Sequence, residues 1–283
     1  MHMSRFAFFS GTIAYGDLDR DGANYVRIFH MLDRHFSSNE ELVLLKKGED
    51  SMAESGWCTI DEHTWRYEDG GVRFFLLTGS ERALLVDSGM TVHNARELAG
   101  ELTALPIALF NTHCDRDHVG SNDEFDEVWI SPMELVHPQA PHNSQKVRPV
   151  WDGEVIELGG RELEAIALPG HTPGSMALLD RSSGMLFSGD PIQRDGRIFM
   201  FGPMRSLAAY IHSLQRLQGR IGEVQSIWPC HATCPIGPET VGELIAGAEA
   251  VERGEATYQM EEFHGTAVRA YEAGPLILLC DAE

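Results

Sequence analysis

The chain has 283 residues, enough for one large core or two modest ones, and its 22 Lys+Arg against 43 Asp+Glu leave a net charge of -21. A field of that sign repels polyanions and disfavours nucleic-acid partners, while no apolar run reaches the roughly 18 to 20 residues of a spanning helix. The opening "FAFFSGTIA" is too short and broken for an export signal and the five cysteines are an odd number, so a cytoplasmic protein with reduced thiols and no membrane partner is expected.

Taken in chain order, residues 1–56 form an N-terminal extension of unassigned role. Its pattern predicts a helix over "DGANYVRIFHMLDRHF", a second apolar stretch "EELVLLKKG" and a polar connector "KKGEDSMAESG". A lid, a dimer contact and a packing extension are all open, and with them a homo-oligomer. "DLDRDG" starts like a calcium loop, but Ile28 stands at the twelfth position, where a bidentate Glu is required, so an Asp-rich turn is the reading preferred.

From Trp57 onward short apolar runs end in turns or helices. "VRFFLLTG" and "RALLVDSG" predict adjacent strands, "VHNARELAGELTAL" a helix, and "IALFNTH" and "EVWISP" two further strands. "EVIELGGRELEAIALPG" and "SMALLDRSSGMLFSGD" read as hairpins with "GG" and "SSG" at their turns. A helix "SLAAYIHSLQRLQGRI", a strand "SIWPCH", a helix over about 239–253 and a strand "PLILLC" complete the chain. Interleaved strands and helices without a repeat predict an α/β (α+β layered) domain over 57–283.

The apolar runs end in ligand-type residues: Asp87, His113, His171, Asp190 and His231. Strand C-terminal ends converge on one rim of a sheet, and five of them delivering His or Asp there build a dense donor cluster. Imidazole and carboxylate are donors for zinc, iron and manganese, and such a cluster without a cation is costly to bury. No G-x-S-x-G, P-loop or dinucleotide G-x-G-x-x-G is present.

"THCDRDH", "LPGHTPGS", "FSGD" and "PCH", in that order, resemble the metallo-β-lactamase superfamily, whose signature is H-x-H-x-D-H followed by a His, a bridging Asp and a final His. The resemblance covers about residues 57–283. It implies an αββα sandwich of two mixed sheets flanked by helices, with two divalent metal ions at one edge. On that carry-over His113, Asp115 and His171 hold one metal, Asp117, His118 and His231 hold the other, Asp190 bridges both, and Asp87 orients a ligand histidine. Asp117 is the residue expected to orient the attacking hydroxide.

Asp115 departs from the signature, which has its second histidine there. A carboxylate adds a negative charge and a harder donor, which tilts the first site from zinc toward iron or manganese or loosens its hold on zinc; for the pair of metals zinc is expected first, with iron or manganese open through Asp115. "LPGHTPGS" and "FSGD" look more like the glyoxalase II and lactonase side than an antibiotic-degrading β-lactamase. The resemblance therefore implies a hydrolase that uses a metal-bridging hydroxide to cleave a small-molecule ester, thioester or lactone. Two alternatives are a non-haem diiron redox protein acting on oxygen or nitric oxide and a phosphodiester or phosphorylcholine ester hydrolase. Cys114 and Cys230 each adjoin an expected ligand and read as small buried thiols.

Overall fold

A computed structural model describes residues 8–9, 12–18, 24–30, 55–141 and 146–282. The chain divides into two compact units, residues 1–49 and 50–283. In the first, strands β1 (Phe8–Phe9), β2 (Thr12–Leu18) and β3 (Asn24–His30) pair antiparallel in that order. Residues 24–30, expected within a helix, are therefore a strand; Tyr25, Val26, Ile28 and Phe29 are strand-favouring types, and pairing overrides the helical spacing. The Asp-rich turn at 19–22, the apolar stretch at 40–48 and most of the connector lie outside the described residues.

The second unit starts with β4 (Gly56–Asp61), β5 (Thr64–Asp69), β6 (Val72–Thr78) and β7 (Ala83–Val86), followed by helix α1 (Ala95–Gly100), β8 (Ile107–Phe110), β9 (Glu127–Ile130) and β10 (Lys146–Pro149). These strands form one mixed sheet in the order β10-β9-β8-β7-β6-β5-β4, parallel from β10 to β7 and antiparallel from β7 to β4. Next come β11 (Val155–Glu157), β12 (Glu162–Ala167), β13 (Met176–Asp180), β14 (Met185–Gly189), β15 (Arg197–Met200), α2 (Leu207–Gln218), β16 (Ser226–Pro229) and α3 (Glu239–Glu252). The strands β17 (Tyr258–Phe263), β18 (Thr266–Ala273) and β19 (Leu276–Asp281) close the chain. A second mixed sheet has the order β11-β12-β13-β14-β16, and a four-stranded sheet β15-β19-β18-β17 adds to the two-sheet expectation.

Side-chain alternation sets the layers. Phe75, Leu77, Leu84 and Val86 face the second sheet's Leu163, Ala165, Leu178 and Phe187, so one core lies between the sheets. The intervening residues Phe74, Leu76, Ala83 and Leu85 point the other way, against Ala95 and Ala99 of α1. On the far side of the second sheet, Ile166, Leu179, Leu186 and Ile227 meet Tyr210, Leu214 and Leu217 of α2 and Val241, Leu244 and Ala248 of α3. Strands covered on both faces read as continuous apolar runs because neither face meets water. The order helix, sheet, sheet, helix follows from these contacts.

Polar groups also tie the sheets together. Arg161, nearly buried, donates to Asp180 Oδ2 at 2.8 Å, to the His63 and Thr78 carbonyls at 2.7 and 3.2 Å, and to Thr64 Oγ1 at 2.9 Å. Among the described residues no helix is long and apolar enough to cross a membrane.

Strand direction then places the site. β7 and β8 run parallel, so Asp87 and His113 emerge at one rim of the first sheet. β12 and β14 are each antiparallel to β13, and β14 is parallel to β16, so His171, Asp190 and His231 leave the same rim of the second sheet.

Candidate metal centre

Local backbone chemistry delivers each side chain to the rim. After β8 the chain turns through a short 3-10 helix at Arg116–His118, which brings His113, Asp115, Asp117 and His118 round one bend. The bend is held by Asn111 Nδ2 donating to the His118 carbonyl at 3.2 Å and by Asn122 Nδ2 donating to Asn111 Oδ1 at 2.8 Å. Gly170 has φ +144°, and a Cβ there would lie 2.4 Å from the Tyr210 Cα in α2; only glycine lets the His171 loop pass so close. Gly189, at φ +59°, does the same before Asp190, where a Cβ would approach Thr112 Oγ1 to 2.8 Å.

Two donor sets share Asp190. On one side, His171 Nε2 is 3.1 Å from Asp115 Oδ2 and 3.5 Å from Asp190 Oδ2, and His113 Nε2 is 3.6 and 3.9 Å from the same two oxygens. On the other, His231 Nε2 is 3.1 Å from Asp117 Oδ2 and 3.3 Å from Asp190 Oδ1, and His118 Nε2 is 3.7 and 3.2 Å from them. Donors around a tetrahedral ion with bonds near 2.0 to 2.1 Å lie about 3.3 Å apart, and the closer separations in each set, 3.1 and 3.5 Å on one side and 3.1, 3.2 and 3.3 Å on the other, fit a shared cation.

The imidazoles are oriented for that task. His171 donates through Nδ1 to the Phe199 carbonyl at 2.9 Å and His231 through Nδ1 to the Gly71 carbonyl at 2.8 Å. Asp87 is fully buried, holds φ +64° and accepts from Thr112 N and Oγ1, both at 2.8 Å, and from His118 Nδ1 at 2.9 Å. With its proton committed to Asp87, Thr112 Oγ1 accepts from His113 Nδ1 at 3.0 Å. One carboxylate therefore orients two histidines, and all four present a bare Nε2 inward. The Nε2 atoms of His113, His118 and His171, together with Asp190 Oδ1, are buried without a well-formed hydrogen bond, which is the state expected of atoms whose partner is a cation.

Charge reinforces the geometry. Burial would raise the Asp190 carboxyl, but His231 and His118 hold it well below the usual carboxylate range. His231 is pushed up to about 10, because Asp190 and Asp117 outweigh its burial. Burial takes His171 down. Carboxylates thus raise His118 and His231 in spite of their burial, and a divalent cation serves those carboxylates without protonating a ligand. Asp117 is the most exposed member, at 29%, and marks the open side.

Three residues that sequence reasoning passed over brace this cluster. Arg205 places one nitrogen 2.9 and 2.8 Å from Asp115 Oδ1 and Oδ2 and donates through another to the His171 carbonyl. His137 Nε2 lies 3.1 Å from Asp115 Oδ1. Glu134, fully buried, accepts from Cys114 N and Gly174 N, both at 2.8 Å, and so ties the two histidine loops together. The only sequence cue is that "PMELVH" and "MRS" abut the quoted motifs' elements; their contacts span up to 90 residues. Cys114 and Cys230 are both fully buried, and burial pushes both thiols up, so neither is poised to react. His264 packs on the Phe263 ring.

A family model described as the metallo-beta-lactamase superfamily matches residues 67–221. The chain belongs to the metallo-beta-lactamase superfamily. Within it, the chain is 30% identical over 206 residues to the acyl-coenzyme A thioesterase MBLAC2 of Gallus gallus, covering 58% of this chain and 74% of that protein. It is 30% identical over 155 residues to a hydroxyacylglutathione hydrolase of Synechococcus sp., covering 53% of this chain and 58% of that one. In fold it resembles a metallo-beta-lactamase from Pontibacter korlensis, with a TM-score of 0.59, 17% identity, and 69% of this chain and 99% of that one covered. As a member of this superfamily the protein is a metal-dependent hydrolase.

Proposed function

We propose that the protein hydrolyses small acyl thioesters at a centre of two zinc ions, one held by His113, Asp115 and His171, the other by Asp117, His118 and His231, with Asp190 shared. The observation that carries this reading is the pair of four-donor sets meeting at Asp190, with buried Nε2 atoms that have no other partner. Bound there, two divalent cations supply Lewis acidity toward a carbonyl oxygen and acidify a water toward neutral pH. Asp87 keeps His118, and through Thr112 also His113, in the tautomer that leaves Nε2 bare. Asp117, at the open side, orients the water and takes its proton. A thiolate leaves without prior protonation because a thiol, with a pKa of about 8.5 in free cysteine, is a far stronger acid than an alcohol, so no separate general acid is required.

The thioester assignment is supported by two relatives named acyl-coenzyme A thioesterase and hydroxyacylglutathione hydrolase.

The test couples elemental mass spectrometry of the purified protein to a panel of S-acyl thioesters, a lactone and a phosphodiester. Two zinc per chain with thiol release from the thioesters is the expected result. Two zinc with inert thioesters would overturn the substrate class, and two iron with oxygen consumption would move the assignment to a redox protein.

A further inference from the structure

Asp115 is the one donor at odds with the superfamily signature, and its surroundings show how the chain accommodates it. One oxygen, Oδ2, faces His113 and His171 at 3.6 and 3.1 Å, inside the donor cage. The other, Oδ1, faces away and meets His137 Nε2 at 3.1 Å. His137 Nδ1 accepts from Gln139 N at 3.3 Å, so its proton sits on Nε2 and is given to Asp115. This is the reverse of the tautomer adopted by the four cage histidines. Arg205 spans both oxygens and also holds the His171 carbonyl, so a single guanidinium fixes two members of one cage. Its side chain is only 13% exposed, so the guanidinium and the carboxylate meet largely out of water.

We infer that Arg205 is the positioning residue that makes a carboxylate at 115 serve in place of a neutral imidazole: its charge cancels the one Asp115 adds, and its two terminal nitrogens, one on Asp115 and one on the His171 carbonyl, form a fork that holds these two donors together. This rests on the two-zinc reading above. The harder, more negative site that Asp115 alone would create is returned to the net charge of a three-histidine site, which removes the charge argument for iron or manganese at this position. The two residues form a matched pair, and the effect of changing one depends on the other.

The test is zinc bound per chain against buffered free zinc, read by elemental mass spectrometry on four proteins: wild type, Arg205→Met, Asp115→His and the double variant. Wild type should saturate at two. Arg205→Met should weaken one of the two sites by about 10- to 100-fold and leave the other unchanged, the range seen when a group behind a ligand is removed. Asp115→His alone should weaken the same site, because an imidazole then faces an unpaired guanidinium. The double variant should return to within a few-fold of wild type, a recovery that a merely structural role for Arg205 does not produce. The retained second zinc reports that each variant is folded; if Arg205→Met does not fold, Arg205→Lys, which keeps the charge and loses the fork, should give an intermediate loss at that one site. Wild type saturating below two zinc overturns the two-metal reading itself. Wild type with two zinc, and either an Arg205→Met chain that binds both as tightly or a double variant whose loss is the sum of the singles, overturns this inference alone.

Discussion

On one side of Asp190, the donors His113, Asp115 and His171 are backed by Arg205, His137 and the Phe199 carbonyl; on the other, Asp117, His118 and His231 are backed by Asp87 and the Gly71 carbonyl. The first cage has a cation directly behind its carboxylate, whereas the second has an anion directly behind a histidine. Both arrangements do the same work. A carboxylate ligand needs its charge offset and its free oxygen pointed, so a guanidinium suits it. An imidazole ligand needs one tautomer and greater basicity, so a carboxylate suits it. The outer groups are complementary to their ligands, and a swap at the ligand calls for a swap behind it.

The largest expected effect comes from removing what the halves share. Asp190→Asn takes an anionic oxygen from both cages at once. Metal per chain should fall at both positions, and kcat/KM for a thioester should fall on the order of a thousandfold, the equivalent of several kcal/mol of transition-state charge stabilisation. An Asp190→Asn chain with full occupancy and full activity would mean that the two cages do not meet at this residue.

A smaller, one-sided effect is expected from Asp87→Asn. The amide turns an N–H toward His118 Nδ1, which favours the tautomer with its proton on Nε2, the atom that faces Asp190. Affinity at the second cage should drop by about 10- to 100-fold. The first cage should weaken less, since His113 is reached only through Thr112 Oγ1. Equal losses at both, measured by zinc titration, would show that Asp87 braces the rim as a whole.

Much of this arrangement is legible in the sequence because strand geometry does the assembling. "ALLVD", "ALFNTH", "FSGD" and "IWPCH" each read as an apolar run ending in a donor, and the parallel pairs β7–β8 and β14–β16 bring those ends to a common rim. Arg205, His137 and Glu134 leave no such trace. They reach the cluster across chain separations of 20 to 90 residues, from a helix entry and a one-turn 3-10 helix with no periodicity of their own. The β17–β18 hairpin is also absent from the pattern, because β17 is largely exposed and "YQMEEF" carries no buried face. Residues 24–30 show the opposite error: helical spacing suggested a helix where pairing with β2 makes a strand. Contacts made by one buried face are readable from sequence; charge pairs formed between distant elements are not.

The smallest expected effect uses a second arginine–carboxylate pair that has no metal donors beside it. Glu164 in β12 accepts from Arg220 Nη1 and Nη2 at 2.7 and 2.9 Å and from Arg181 Nε at 3.1 Å. Arg220, the partial burial notwithstanding, and then Arg181 hold the Glu164 carboxyl below its ordinary value of 4.5. A carboxyl depressed in the folded state contributes stability that is present above its unfolded value and lost as pH falls through the folded one, so this share disappears on the acid side of 4.5. Glu164→Gln should lower stability near neutral pH on the order of 1 kcal/mol, since Arg220 is half-open to solvent, and should flatten the acid limb of a urea-unfolding series. Zinc per chain should stay at the wild-type value. A Glu164→Gln variant that lost zinc from the first cage would show that arginine pairs brace this fold generally, and that Arg205 owes its effect to the sheet rather than to the carboxylate it faces.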